Sequence, residues 1–428
     1  MLERILQDID KNREELIDGL RQLISMGSSD GKATEAQQFV QKQLRDMGFS
    51  VECFRQDERV KDLPDYVPYD IMYDPGAYNV AGVLKGTGKA DSLMLFAHID
   101  TEAEEYFGSF DNPYESYVSN GKIYGLGASD DKGGVAMMLY AVKYVKKYLP
   151  KLPYDVTVLS IMGKHGGAFG TLSALVKGYG AKNSIYLHPA ETGHGFAEIK
   201  NISLGVVDFD ITVTGKQGLA HDDLSTGTNA SVLAGTVVMY LEEYNQKMRK
   251  QYTFDIGSFA GQPSFILNVG SIVSEGDYGE IPQKATIRVR CRFFKPMTKE
   301  SVTESMTEYL RKKCDGSMVS FDDLTIQKGN FRATPAMTDT GHPFVQLIEK
   351  NITHITGITD FIHQYHGGSD IRLPILYGDS NCVGIGPACV LPPKGSNERE
   401  WISVEDYING VKILASVLYN YSLYAQKE

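Results

Sequence analysis

Side chains that bind metals follow the strand-like segments of this sequence. His98 and Asp100 come directly after an apolar run at residues 92–97, and His188 follows another at residues 184–187. Because ligand sites in open α/β sheets form at the carboxyl ends of the strands, these side chains are well placed to meet. An imidazole can bind a metal through one nitrogen while a carboxylate holds the other. The pattern favours a metal centre, although a single histidine at a strand end is more often a hydrogen-bonded structural residue.

A glycine-rich turn lies between these two segments. Residues 125–134 contain four glycines and two aspartates and lead into a helical pattern. Glycine permits positive φ angles and a close approach of the backbone. Asp130, held in such a turn, could bridge two cations. The alternative is an ordinary turn whose aspartate caps the following helix.

The composition is typical of a globular protein. Of the 428 residues, 42% are hydrophobic and 23% are charged. This length exceeds that of a typical domain with a single hydrophobic core, so we expect two domains or one domain with an insertion. The net charge of -11, without a run of like charges, argues against nucleic acid and anionic membranes as partners. No apolar run approaches the roughly 20 residues of a membrane span.

The cysteines and the N-terminal residues predict a cytoplasmic location. The cysteines, at positions 53, 291, 314, 382 and 389, are odd in number and lack paired CxxC spacing. They therefore predict reduced core residues and neither a disulfide framework nor a cysteine zinc site. The first residues are charged and amphipathic, unlike a signal peptide.

Alternating strand and helix patterns predict a layered α/β core. Helical spacing is found at residues 3–26, 33–48, 133–148 and 169–177, and strand-like runs at 79–84, 92–97, 155–162 and 184–187. The pattern changes after residue 205. Its order of strand, helix, two strands and helix up to residue 313 indicates a ferredoxin-like insert. After residue 320 the alternation of strand and helix patterns returns. The last pattern is a helix at residues 404–424.

The ordered motifs resemble the zinc metallopeptidases that include aminoacylase, carboxypeptidase G and succinyl-diaminopimelate desuccinylase. That family has His-x-Asp after a strand and later Gly-Arg-Gly-x-x-Asp-x-Lys-Gly-Gly. These motifs match His98, Asp100 and residues 125–134, with Leu126 in place of the arginine. The likeness continues through residues 268–270, 281–282 and 367–372. It implies an α/β fold with a layered, zinc-peptidase-like catalytic domain (1–205 and 321–428) and an inserted ferredoxin-like α+β lid (206–320).

Carried over by position, the resemblance implies a metal centre with altered ligands. The first metal would be held by His98, Asp130 and His188, the last standing where the family has an acid. This set suits zinc, with manganese or cobalt as alternatives. A second metal would need His165, where the family has a glutamate, and a late ligand for which this chain has Ser396. One ion is therefore expected more readily than two. Further candidate ligands are Glu191, His363 and His366.

Lys164 stands at the position of the family's general-base glutamate. An ordinary lysine, with a pKa of about 10.4, is protonated and repelled by a cation. Burial beside a metal could lower this pKa and make Lys164 a base, or Lys164 could remain a cation that stabilises an oxyanion. The other alternative is a decayed site in which Lys164 replaces a metal charge. Asp100 is expected to orient His98.

The resemblance also indicates residues for substrate binding. The family's lid supplies a histidine to the active site of a partner subunit, and the nearest one here is His221. Arg290, Arg292 and Arg372 lie in regions where the family uses arginines, and a guanidinium can grip a substrate carboxylate bidentately. As bare sequence features, His221 is explained about as well as a surface loop residue, and each arginine is more often a surface charge.

Together these features predict a metal-dependent hydrolase. Its substrate would be a small carboxylate-bearing molecule with an amide bond, a dipeptide or an N-acyl amino acid, and the protein would form a homodimer through the lid. One alternative is a non-hydrolytic relative that keeps the pocket for binding or supports an active partner. Another is a lyase or isomerase that uses Lys164 as its acid and base. Histidine at positions 165 and 188, which retains ligand chemistry, favours the hydrolase.

Overall fold

The computed structural model describes residues 1–29, 31–68, 74–104, 112–164, 167–190, 192–219, 227–256, 259–388 and 398–424. For residues 330 and 364–367 it describes the backbone only. Several predicted site residues lie outside this part: His165, Glu191, His221 and Ser396, together with the side chain of His366.

The helices and strands follow one another along the chain with these bounds. The helices are α1 (Leu2–Lys11), α2 (Arg13–Ser25), α3 (Thr34–Asp46), α4 (Lys132–Tyr148), α5 (Phe169–Val176), α6 (Ala230–Gln251), α7 (Lys299–Cys314), α8 (Pro343–Thr356), α9 (Arg372–Tyr377) and α10 (Val404–Tyr424). The strands are β1 (Ser50–Phe54), β2 (Asn79–Leu84), β3 (Leu93–His98), β4 (Tyr117–Ser119), β5 (Lys122–Tyr124), β6 (Val156–Ile161), β7 (Asn183–Leu187), β8 (Glu198–Thr214), β9 (Gly218–Leu219), β10 (Phe265–Ser274), β11 (Glu280–Ile281), β12 (Lys284–Phe293), β13 (Leu324–Ala333), β14 (Ala336–Met337), β15 (Ile362–Gly367), β16 (Asn381–Ile385) and β17 (Trp401–Ser403).

The chain folds into two compact units. The first comprises Met1–Ile202, Ala336–Tyr365 and Asp370–Glu428, and the second comprises Ser203–Pro335 and His366–Ser369. Each has its own hydrophobic core. No helix in the described ranges is long and apolar enough to cross a membrane.

A mixed sheet forms the centre of the first unit, in the order β1, β2, β6, β3, β7, β16 and the start of β8. Strands β6, β3, β7 and β16 run parallel to one another. Alternate residues of β3 enter the cores on opposite faces of the sheet: Leu93 and Leu95 pack on one side, and Met94 and Phe96 on the other. Burial on both faces explains why this strand is a nearly continuous apolar run.

The parallel strands place three loops at one edge of this sheet. His98 ends β3, the segment with Lys164 follows β6, and His188 follows β7. The register pairs His98 with Ile161 and Phe96 with Tyr186, so these strands end at nearly the same level. The glycine-rich turn leads into α4, which packs against β3 and α10. The fold therefore brings the predicted ligand segments to one place.

The second unit has the ferredoxin-like order of elements. Its sheet runs β13, β8, β12, β10, all neighbours antiparallel, with α6 and α7 in the connections. The layered α/β domain with a ferredoxin-like insert is thus confirmed. The predicted lid ended at residue 320, whereas the compact unit extends to Pro335 and includes the fourth strand, β13. The sequence pattern did not predict β13 as a strand of the lid. Its residues are largely polar, and its register is irregular between Lys328 and Arg332.

Candidate metal centre

Three buried side chains converge at the sheet edge of the first unit. His98, Asp130 and His188 each offer one ligand atom, and these atoms lie within 4.8 Å of one another. The three residues are at most 8% exposed. Two imidazole nitrogens and one carboxylate oxygen form a donor set that suits zinc and other first-row divalent ions. The described side chains at this site therefore fit a metal ion.

His98 is surrounded by oxygen atoms. Its Nδ1 lies 2.8 Å from the backbone carbonyl oxygen of Asp100, and its Nε2 lies 2.8 Å from Oδ1 of Asp130. Its backbone N–H donates to Oδ2 of Asp131. Burial opposes protonation of His98, but the nearby carboxylates outweigh it and raise the imidazole pKa well above its usual value. This surrounding favours a positive charge at Nε2, whether a proton or a metal ion.

The two aspartates of the glycine-rich turn have opposite electrostatic states. Burial raises the pKa of the Asp131 carboxyl well above its usual value, which favours its neutral form. Burial acts in the same direction on Asp130, but the imidazoles of His188 and His98 outweigh it and hold the Asp130 pKa well below its usual range. Asp130 is therefore the anionic member of the cluster.

The carboxylate of Glu400 holds the turn that carries Asp130. It accepts the backbone N–H groups of Gly127, Ser129 and Asp130 at 2.7–2.8 Å, and the Ser129 hydroxyl at 3.0 Å. Burial raises the pKa of Glu400 to about 7, and these backbone hydrogen bonds oppose the rise. Four donors on one buried carboxylate fix the position of the candidate ligand Asp130.

Lys132 supports the same turn from the other side. Its buried ammonium group donates to the carbonyl oxygens of Ile24 and Met26 at the C-terminal end of α2. Burial lowers the pKa of Lys132 to about 7, and the charge of Glu400 opposes this shift. A negative charge on Glu400 therefore favours the protonated form of Lys132.

His188 is surrounded mainly by amine groups. Its Nε2 lies 2.8 Å from Nζ of Lys164 and 3.4 Å from Oδ1 of Asp130. Its Nδ1 lies 2.9 Å from Nζ of Lys200 and 3.2 Å from the carbonyl oxygen of Pro189. Lys200 is 2% exposed and also donates to that carbonyl oxygen. In the tautomer that carries the ring proton on Nδ1, directed at the Pro189 carbonyl, Nε2 presents its lone pair to the cluster.

The backbone after β6 directs Lys164 toward this histidine. Gly163 has a φ of +84°, and a Cβ atom there would lie 2.0 Å from a ring carbon of Phe169. Glycine is therefore required at this turn. The Lys164 ammonium lies 5.9 Å from the centre of the Tyr186 ring, which is stacked on Phe96. The Lys164 side chain thus ends beside Nε2 of His188 and within reach of the Tyr186 ring.

Four other predicted site residues have their own contacts. The carboxylate of Asp100 is 3.7 Å from Nδ1 of His98, so its closer contact is through the backbone carbonyl. Arg372 is 1% exposed and lies 3.8 Å from the Asp65 carboxylate in the first unit. Arg290, in the second unit, makes two 2.8 Å hydrogen bonds to Asp208. His363 pairs with Glu349 at 3.1 Å.

Sequence analysis missed Lys200, and it did not assign a role to Glu400 or Lys132. Lys200 lies at the start of β8, where only its position twelve residues after His188 connects it to the site. The position of Lys132 could have indicated its role. A lysine in a glycine-rich turn, two residues after a candidate ligand aspartate, is expected to be buried at the site.

The layered α/β sheet, the candidate ligands at its strand ends and the ferredoxin-like insert fit a metallohydrolase of peptidase or amidohydrolase type. The chain belongs to the peptidase family M20/M25/M40, which matches residues 94–420. This confirms the resemblance inferred from the motifs.

Relatives of known name cover nearly the whole chain. It is 24% identical to the N-formyl-4-amino-5-aminomethyl-2-methylpyrimidine deformylase of Bacillus subtilis (strain 168) over 95% of this chain and 94% of the relative. It is 25% identical to carboxypeptidase G2 of Pseudomonas sp. (strain RS-16) over 91% and 85%. A tripeptidase structure from Staphylococcus aureus is similar with a TM-score of 0.75 and 15% identity, covering 96% and 99% of the two chains. Human carnosine dipeptidase 1 has a TM-score of 0.69 at 17% identity, with 99% of both chains covered.

Proposed function

We propose that this protein hydrolyses an amide bond in a small carboxylate-bearing molecule, such as a dipeptide or an N-acyl amino acid. The convergence of His98, Asp130 and His188 within 4.8 Å carries this proposal, because it retains a ligand set for one zinc ion, with manganese or cobalt as alternatives. The family supports the hydrolase class. A bound ion of this kind supplies Lewis acidity.

The chain's own groups orient the ligands. The carbonyl oxygens of Asp100 and Pro189 lie next to Nδ1 of His98 and His188, respectively, and so direct each Nε2 into the cluster. Glu400 fixes the backbone on which Asp130 is carried. These contacts hold the donor atoms before any ligand arrives, which reduces the reorganisation needed during the reaction.

We assign Lys164 an electrostatic role. An ammonium group has no lone pair, so it cannot accept a proton as the family's glutamate does. It can stabilise the negative charge that develops on an amide oxygen when the carbonyl is attacked. Its position beside His188 and its electrostatic contact with Asp130 support this assignment.

Carboxylate recognition is assigned to arginines of the second unit. A cavity of about 580 Å³ on one face of its sheet is lined by Arg288, Arg290, Arg292 and Asn268, among others. Arg290 is held by Asp208, and Arg288 lies 3.8 Å from Asp210. Within the described ranges, Arg292 has no carboxylate partner of this kind, so it is the better candidate of the predicted pair for a substrate carboxylate.

A substrate panel tests this function. Zinc-loaded protein is assayed with dipeptides, N-acyl amino acids and N-formyl amines that lack a carboxylate, the last because one relative is named as a deformylase. We expect cleavage of the carboxylate-bearing amides, loss of cleavage in Asp130→Asn, and unchanged cleavage in Asp379→Asn, a fully exposed aspartate. Cleavage only of the neutral formyl compounds would contradict the substrate class. Equal rates in wild type and Asp130→Asn would contradict the metal-dependent reaction.

We also propose a homodimer formed through the second unit. Exposed apolar side chains support this proposal: Val232 and Met239 on α6 are 53% and 62% exposed, and Met318 is 63% exposed. Light scattering of wild type and Met239→Glu measures the mass directly. The predicted cytoplasmic location remains a proposal, supported by free Cys53, Cys291, Cys314 and Cys382.

A further inference from the structure

The amine of Lys164 and the carboxylate of Asp130 lie on the same side of the His188 ring. Nε2 of His188 is 2.8 Å from the Lys164 amine and 3.4 Å from Oδ1 of Asp130. The charge of Lys164 acts on both Asp130 and Asp131. The ammonium therefore lies next to one of the three atoms that would bind a divalent cation, and its charge also acts on the carboxylate that offers a second.

An imidazole nitrogen has one lone pair in the plane of the ring. That lone pair can accept a hydrogen bond from an ammonium group or bind a metal ion, but it cannot do both at once. The other nitrogen of His188 is no substitute, because the Pro189 carbonyl and buried Lys200 enclose it. The carboxylate of Asp130, likewise, gains less from a metal ion when an ammonium charge is already near it.

We propose that the ammonium group of Lys164 and a divalent metal ion compete for Nε2 of His188, so that Lys164 acts as a built-in cation of this centre. The proposal rests on the metal site of the proposed function and adds a consequence to it. Metal uptake requires the Lys164 side chain to leave Nε2, and the affinity of the site is correspondingly reduced. Removal of the ammonium charge strengthens metal binding.

This competition differs from a simple structural role for Lys164. If Lys164 only supported the loop after β6, its removal would loosen that loop and leave metal affinity unchanged or lower. Competition predicts the opposite sign, a gain of affinity on substitution. The sign of the change is therefore the decisive observation.

Metal titration of three variants tests the proposal. Purified full-length protein, first dialysed against a chelator, is titrated with Co²⁺ and with Zn²⁺ at one fixed pH. Lys164→Met removes the ammonium but keeps the side-chain length, and Lys164→Arg keeps the charge. Lys182→Met is the matched control, because Lys182 precedes β7 at the end opposite His188 and is paired with Asp379 at the surface. Thermal unfolding checks that each variant folds, and Lys164→Gln replaces Lys164→Met if the latter does not.

We expect Lys164→Met to bind one equivalent of metal at least about tenfold more tightly than wild type, because a like charge is removed from the site. Lys164→Arg and Lys182→Met should bind no more tightly than wild type. Equal or weaker binding by Lys164→Met, with wild type binding one equivalent, would overturn the competition and leave the proposed metal site intact. Tight binding by Lys164→Met with none by wild type would support the competition and contradict the proposed metal-dependent function. Absence of binding in both would contradict both proposals.

Discussion

The two histidines of the candidate centre have opposite surroundings. His98 lies among oxygen atoms, with the Asp100 carbonyl at one ring nitrogen and the Asp130 carboxylate at the other. His188 lies among amines, with Lys200 at one nitrogen and Lys164 at the other. The His98 half of the centre has the anionic environment that a cation needs. The second half already contains positive charge.

This difference bears on the prediction that Lys164 and His165 stand where the family has glutamates, because the centre can still hold a metal ion on the His98 side. Asp130 lies within 3.4 Å of both imidazoles and is the candidate anionic ligand shared by both sides. On the His98 side, the charge balance favours an added cation. On the His188 side, Lys164 supplies a cation of its own, which leaves room for one metal ion at most in the set formed by His98, Asp130 and His188.

Removal of the shared aspartate should have the largest effect. Outer-shell partners of metal ligands each contribute roughly 10–100-fold to affinity, so loss of the ligand that joins both halves should cost at least about a thousandfold in Asp130→Ala. Isothermal titration with Zn²⁺ measures this change, with Asp379→Ala as the control. Zinc affinity within about tenfold of wild type would show that Asp130 is not a shared ligand.

The pH dependence of protein stability tests the roles of Glu400 and Lys132, the two buried residues that hold the turn with Asp130. The pKa of Glu400 is raised from an ordinary value of 4.5 to about 7, so the folded protein keeps a proton that the unfolded chain has released. This contribution to stability falls as pH rises from 4.5 to 7. The pKa of Lys132 is lowered from 10.5 to about 7, so its contribution falls as pH decreases from 10.5 to 7.

The buried pair therefore predicts a minimum in its contribution near pH 7, on the order of 3 kcal/mol deep. Urea unfolding at several pH values, for wild type and the double variant Lys132→Met/Glu400→Gln, isolates the contribution. The difference in free energy of unfolding between the two proteins should vary with pH as described. A difference that stays constant between about pH 5 and about pH 10 would contradict the assigned pKa shifts.

Substitution of Glu400 alone should weaken the metal site without touching a ligand. The amide of a glutamine has only one acceptor oxygen and cannot accept all four donors. In Glu400→Gln the turn with Asp130 therefore loses part of its support, and zinc affinity should fall roughly 10–100-fold. Glu405→Gln, on the exposed glutamate paired with Arg13, is the control. If both variants bind zinc like wild type, Glu400 does not position Asp130.

The smallest effect is expected on the His188 side. Lys200 contacts Nδ1 and the Pro189 carbonyl, so Lys200→Met should leave the ring less firmly oriented and lower zinc affinity by about tenfold or less. The variant should still bind zinc more tightly when Lys164→Met is added. A larger loss than in Glu400→Gln would reverse the comparison between the two halves.

The sequence predicted the backbone of the site better than its charges. The apolar run of β3 and the glycine-rich turn before α4 located His98 and Asp130, because the same patterns that build the sheet place these residues at its edge. The contacts of His188 include Lys200, which lies on β8, whereas His188 follows β7. A pattern within one segment cannot show which distant side chain will enclose it.

The arginines show the same limit. The resemblance pointed to Arg290 and Arg292 on β12, but it could not show that Asp208 on β8 lies beside Arg290. Arg372 follows the motif at residues 367–370, yet it is buried beside Asp65. The pairing of charges depends on sheet register and on helix packing, which the local sequence does not encode.

Anomalous diffraction from crystals grown with saturating zinc tests the central claim most directly. We predict one zinc peak, at roughly 2.0–2.2 Å from Nε2 of His98, Oδ1 of Asp130 and Nε2 of His188, with Nζ of Lys164 moved away from Nε2. A structure in which Lys164 stays within hydrogen-bond distance of Nε2 and no zinc binds these three residues would contradict the claim. Two zinc ions at this site would contradict it equally.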